Sequence, residues 1–311
     1  MPFTQTPSLN IHYELGGTGN DVLVLLHGNF ASWRWWRPVL ERLPANYRAY
    51  APDLRGCGDT DQPTDGYNIQ QLADDLYAFV TALELRPFHL VGHSLGGAVA
   101  LQFALDHPEY IETTLLVAPA PAQGLSYKVS APSLAVMTEA QRSRSLETLE
   151  GNYRFMRNIE INRPWMHQAL SRMALKGMTD SDFKALVDDA ARMAPEAMVG
   201  YLQSLDAWDV QAELSDLQRP ILILWGTRDK IVPLEGLYRT ARGLPQGRVI
   251  KWNDVGHAPQ LEQPDRFIEL LDDFTRRKSV SMIVERPDAD ITIKGKLQRL
   301  IANILRWLKL S

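Results

Sequence analysis

Short apolar runs alternate with longer stretches of helical spacing through the first part of the chain. "DVLVLLHG" (21–28) reads as a fully buried strand, "WRPVLERL" (36–43) as a helix, and "YRAYAPDLRG" (47–56) as a strand and its loop. "NIQQLADDLYAFVTALEL" (68–85) puts Leu72, Leu76, Phe79, Val80 and Leu83 on one helical face. "FHLVGHS" (88–94) is the next strand, a helix follows it, and "TTLLVAPAPA" (113–122) is another strand. Strands that alternate with helices predict an α/β fold, a mostly parallel sheet with helices on both faces.

From about Ala122 to Leu214 the pattern changes, and helical stretches such as "DFKALVDDAARMAPEAMVGYLQSL" (182–205) replace strands. The strand signal returns at "RPILILWGTRD" (219–229) and "GRVIKWNDVGH" (247–257). The expected organisation is a core of residues 1–121 and 215–278, an inserted helical block at 122–214, and an extension at 279–311. Such a block can lie over the carboxyl edge of the sheet, where open α/β folds bind ligands.

Composition narrows the classes. Hydrophobic residues at 45% and charged ones at 23% are ordinary for a globular protein. The net charge of −4 hides an asymmetry: residues 276–311 carry +6, and the other 275 carry −10. An acidic body argues against nucleic acid as a partner. A lone cysteine, Cys57, excludes an internal disulfide and suits a reducing cytoplasm. "MPFTQTPSLN" lacks the pattern of a secretory signal, and no apolar run is long enough to span a bilayer, so a cytoplasmic location is expected. No histidine or cysteine cluster has metal-ligand spacing, so neither metal nor cofactor is expected.

The chemistry centres on "FHLVGHSLGGAVALQFAL", a Gly-x-Ser-x-Gly sequence with a strand before it and a helix after. A serine on so tight a turn needs neighbours without side chains, and its hydroxyl then projects beside a helix N-terminus. Ser94 as nucleophile needs a base and an orienting acid. In the chain order serine, acid, histidine, Asp229 ends one late strand and His257 follows the last. His12 and His89 fall in strands, and His27 and His93 adjoin motif glycines as scaffold. Asp254 and Asp53 compete for the acid role, with Asp53 expected to pair with Arg55. The backbone N–H groups of Leu95 and Asn29 are the expected oxyanion donors, because preorganised donors stabilise a tetrahedral intermediate.

Together "HGN", "DLRGCGDTDQP", "GHSLGG", "LWGTRDKIVP" and "GHAPQLEQPDRF" resemble the α/β-hydrolase superfamily from about Leu9 to Phe274. The resemblance implies a Ser-His-Asp hydrolase, with the helical block as the family's cap domain. It leaves the substrate open among esters, lactones, amides and carbon–carbon bonds. Flanking segments are similar to those of epoxide hydrolases and haloalkane dehalogenases, which attack sp³ carbon with an aspartate. Ser94 argues against both activities, since serine attack on an alkyl halide would leave an ether with no easy hydrolytic exit.

Phe30, Trp33, Trp165 and Val232 are expected to line a pocket for a small-molecule apolar ester, with cap methionines Met137, Met156, Met166, Met173, Met178, Met193 and Met198 as adaptable lining. A ligand-binding receptor on a hydrolase scaffold is the rival from another class. In the tail, Leu297, Leu300, Ile301, Ile304 and Leu308 form an apolar stripe, with Lys296, Arg299 and Arg306 on another face. This helix suits either peripheral membrane contact or packing on its own body or another subunit.

Overall fold

Eight strands make one sheet in the order β1-β2-β4-β3-β5-β6-β7-β8. The structure, a computed structural model, describes residues 2–125, 159–171, 173, 175 and 177–279. The strands are β1 (Phe3–Gln5), β2 (Asn10–Gly17), β3 (Asp21–Leu26), β4 (Tyr47–Pro52), β5 (Phe88–His93), β6 (Ile111–Val117), β7 (Ile221–Gly226) and β8 (Arg248–Trp252). From β4 to β8 all pairings are parallel. The first two strands depart from this. β1 pairs antiparallel with β2, and β2 antiparallel with β4.

The apolar runs explain the layering, because successive side chains of a strand point to opposite faces. On β3, Leu23 and Leu25 enter one apolar cluster, and Val24 and Leu26 enter the other. Helices α1 (Arg37–Leu40) and α9 (Pro264–Arg277) cover the first face, bringing Val39, Phe267, Leu271 and Phe274 to it. Helices α2 (Ile69–Ala82) and α3 (Leu95–Asp106) cover the second. The expected helix at 36–43 is instead a 3₁₀ turn, Trp33–Trp36, running into the single turn of α1, with Pro38 in its first turn.

Three described helices lie between β6 and β7, neighbours in the sheet: α4 (Ile159–Ser171), α5 (Asp180–Arg192) and α6 (Pro195–Ala207). The stretch 182–205, read as one helical run, breaks at Met193–Ala194. Pro195 disfavours helical backbone in the residue before it and starts a new helix with its ring at the first position. These helices bond to loops at the carboxyl ends of the parallel strands. Ala194 N–H donates to Gly56 O (2.8 Å), and Leu125 N–H to Leu205 O (2.9 Å). Helices α7 (Leu234–Gly243) and α8 (Pro259–Glu262) complete the later part. The tail stripe from Leu297 to Leu308, and Met137 and Met156, lie outside the described residues. Among the described residues no helix is long and apolar enough to cross a membrane.

Candidate active site

Ser94 sits between β5 and α3 at φ 54°, ψ −116°, left-handed backbone that a side chain rarely adopts. The turn is held on both sides. Ser94 N–H donates to Val117 O (3.0 Å), and Ser94 O accepts the N–H groups of Gly97 (3.0 Å) and Ala120 (3.1 Å). The flanking glycines are steric necessities: a Cβ on Gly92 would lie 2.3 Å from Gly96 O, and one on Gly96 2.5 Å from His27 O.

The carboxyl ends of β7 and β8 supply the other two residues. His257 Nδ1–H donates to Asp229 Oδ2 at 2.8 Å, with the side chains 2% and 0% exposed. The second carboxylate oxygen, Oδ1, accepts the N–H groups of Ile231 (2.7 Å) and Val232 (3.1 Å), which fixes the carboxylate plane. The rival Asp254 turns to solvent and pairs with Arg228 at 3.0 Å. The structure thus unites His257 with Asp229 and brings both to the edge that carries Ser94. Among the described residues, the Ser94 hydroxyl makes no hydrogen bond to the imidazole. Such bonds are often long in unliganded sites and tighten with substrate.

A second histidine holds the first in place. His93 Nε2–H donates to the backbone O of His257 (3.0 Å), and Trp35 stacks on the His93 ring at 5.2 Å. Burial, reinforced by the neighbouring His257, pushes the His93 pKa well below its ordinary 6.5. His93 therefore stays neutral and does not compete with His257 for a proton. His27 is likewise depressed by burial; its Nδ1–H donates to Gly28 O (2.8 Å), and its Nε2 accepts Leu54 N–H (2.9 Å). Both are the scaffold groups expected from their positions.

In the loop after β3, Asn29 is 8% exposed and Phe30 takes a left-handed φ of 58°. The Asn29 side chain accepts Phe30 N–H at 2.9 Å, which occupies that donor rather than the N–H of Asn29 itself. Leu95 opens α3, where first-turn N–H groups have no partner within the helix. Both expected oxyanion donors thus adjoin Ser94's turn: a Cβ on Gly28 would lie 2.9 Å from Ser94 Cβ.

The four residues expected to line a pocket fall in different surroundings. Phe30 and Val232 pack with the apolar cluster that includes Leu95. Trp33 instead packs against the cluster on the opposite face of the sheet, with the Arg34 guanidinium 4.9 Å from its ring centroid. Trp165 is 68% exposed on α4, so its indole is not a buried wall. The difference is one of helical phase: Met166, one residue on, faces inward and is buried.

Asp53 also departs from expectation. It accepts His12 Nδ1–H (2.7 Å), Trp33 N–H (2.7 Å) and Asp59 N–H (3.1 Å), while Arg55 forms a two-pronged pair with Asp75 on α2 (2.7 and 2.8 Å). Two residues in supporting positions escape a reading of the sequence alone. Glu262 accepts Gly256 N–H with both carboxylate oxygens (2.9 and 3.0 Å), fixing the loop before His257; its signal was its place within "GHAPQLEQP". Asp189 joins the inserted helix α5 to Ser32 in the loop after β3, and left no signal in its neighbourhood. Among the described residues, no group of three His, Cys, Asp or Glu side chains is placed to hold a metal.

A family model described as the alpha/beta hydrolase fold matches residues 21–264. The chain belongs to that family. Among curated relatives it is 28% identical to the 2-hydroxy-6-oxo-2,4-heptadienoate hydrolase of Pseudomonas putida, covering 83% of this chain and 90% of that protein. It is also 28% identical to the pimeloyl-[acyl-carrier protein] methyl ester esterase of Vibrio vulnificus, covering 86% and 98%. Of solved structures, the enol-lactonase of Burkholderia xenovorans superposes with a TM-score of 0.71 at 22% identity, covering 88% of this chain and all (100%) of that one. At that identity the likeness speaks for the fold alone.

Proposed function

We propose that this α/β-hydrolase family member is a serine hydrolase that cleaves carboxylic esters of hydrophobic, small to medium acyl groups through an acyl-enzyme. The observation that carries the reading is Ser94 on its left-handed turn at the edge where His257 is bonded to Asp229. Ser94 Oγ attacks the acyl carbon while His257 Nε2 takes its proton, and Asp229 stabilises the imidazolium. The negative oxygen of the tetrahedral intermediate faces the N–H groups of Leu95 and Asn29. Collapse expels the alcohol, which takes the proton from His257. Water then adds to the acyl-enzyme with His257 again as base, and release of the acid restores Ser94. The inserted helices serve as a cap, and Phe30 and Val232 contribute to an apolar acyl site.

The test is turnover of p-nitrophenyl butyrate. Ser94→Ala is expected to lower kcat by at least about 10⁴-fold while leaving the circular dichroism spectrum unchanged. Retained turnover in that variant would sink the reading. A second reading, cleavage of carbon–carbon bonds in vinylogous diketones or opening of lactones by the same residues, is favoured by relatives named as dienoate hydrolases. Preference for such a diketone over every ester in a panel would select it.

A further inference from the structure

The inserted helix α5 reaches the loop after β3 through one buried carboxylate. Asp189 is 3% exposed. Its Oδ2 accepts the Ser32 hydroxyl at 2.5 Å and forms an ion pair with Arg34 Nε at 2.9 Å, and its Oδ1 accepts a guanidinium N–H of Arg192 at 2.5 Å. Ser32 also caps the 3₁₀ turn Trp33–Trp36, its side-chain oxygen accepting Arg34 N–H at 3.2 Å. One hydroxyl therefore ties the downstream end of the loop to a helix inserted 157 residues later in the chain.

The upstream end of the same loop is held by the core, where His27 bridges Gly28 O and Leu54 N–H. Between these anchors lie Asn29 and the left-handed Phe30. A buried carboxylate costs desolvation that its partners only offset, so it is weak evidence for stability as such. What its geometry contributes is position: with Asp53, which accepts the N–H of the next residue, Trp33, at 2.7 Å, it holds Ser32 and hence the end of the short run from Gly28.

We propose that Asp189 is a positioning residue for the oxyanion hole: through Ser32 it sets the Asn29 N–H, so that an inserted helix joins the core in holding one of the two donors. The inference rests on the esterase reading of Ser94, and its test separates the two. In the full chain, Asp189→Asn and Ser32→Ala are expected to lower kcat for p-nitrophenyl butyrate by about 10- to 100-fold, short of the loss from removing a donor outright, with KM within about twofold. Inhibition by butylboronic acid, which forms a tetrahedral adduct on serine, weakens in proportion. Amide hydrogen exchange in 28–32 becomes faster in both variants.

The control is Asp59→Asn. Asp59 meets Arg192 at 3.7 Å in a half-exposed contact between the same helix and another loop, without bonding to Ser32. It is expected to stay within about twofold of wild type in kcat. An equal loss in Asp59→Asn would overturn the proposal in favour of general docking of the helix. Unchanged exchange at 28–32 in both Asp189→Asn and Ser32→Ala would overturn it whether or not wild type hydrolyses esters. A wild-type chain inactive on every ester would instead count against the esterase reading.

Discussion

Ser94 is held in an unfavourable conformation by three backbone hydrogen bonds and by glycines that give other backbone segments room to approach. The strain is local, so it responds to very small changes. In Gly96→Ala the new methyl would lie 2.6 Å from Leu26 O and 2.5 Å from His27 O, both backbone atoms that cannot swing away. This variant is expected to lose about 1–3 kcal/mol of stability and most ester turnover, read by denaturant melts and p-nitrophenyl butyrate kinetics. Wild-type values in both would contradict the steric account. The sequence made this turn legible, because the glycine spacing is itself the steric requirement. Asp53 shows the limit at this scale: its nearest basic neighbour is Arg55, but its partner His12 lies 41 residues away on another strand.

Among the elements, strands were more readable than helices, because a run such as "DVLVLL" has few ways to be buried. The long helical pattern at 182–205 hid a break that Pro195 marks, and the direction of β1 and β2 is set by pairing that no local pattern encodes. The loop after β4 is fastened to α2 by Arg55 and Asp75, whose side chains are 6% and 7% exposed. Burial of the pair means that removing one partner leaves an uncompensated charge. Arg55→Ala is therefore expected to cost about 3–5 kcal/mol, seen as a lower urea midpoint with an unchanged m-value. A loss below about 1 kcal/mol would place the pair among ordinary surface contacts.

For the whole molecule, the buried histidines couple folding to pH. His27 and His93 have pKa values depressed by burial, that of His93 strongly, while the unfolded chain takes up protons near 6.5. As pH falls below 6.5 the unfolded state binds protons that the folded state refuses, so stability declines with acidification. Each such group contributes about 1.4 kcal/mol per pH unit until its folded pKa is reached. Urea melts at pH 7.5 and 5.5 should show the loss, with a shallower slope in His93→Gln; equal stability at the two pH values would contradict it. At this scale the layering and the late return of the sheet were evident from periodicity. The seating of the inserted helices was not, because Asp189 and Ser32 meet only once the chain has folded.

At the far end of the sheet, α9 closes on Lys278, which adopts left-handed backbone and pairs with Glu112 at the start of β6. The chain thus leaves its last described helix beside the amino ends of the strands, whereas Ser94 stands at their carboxyl ends. Along β5 those two levels are roughly 17 Å apart. The molecule consequently has two poles, with Ser94 at one and the end of the last described helix at the other.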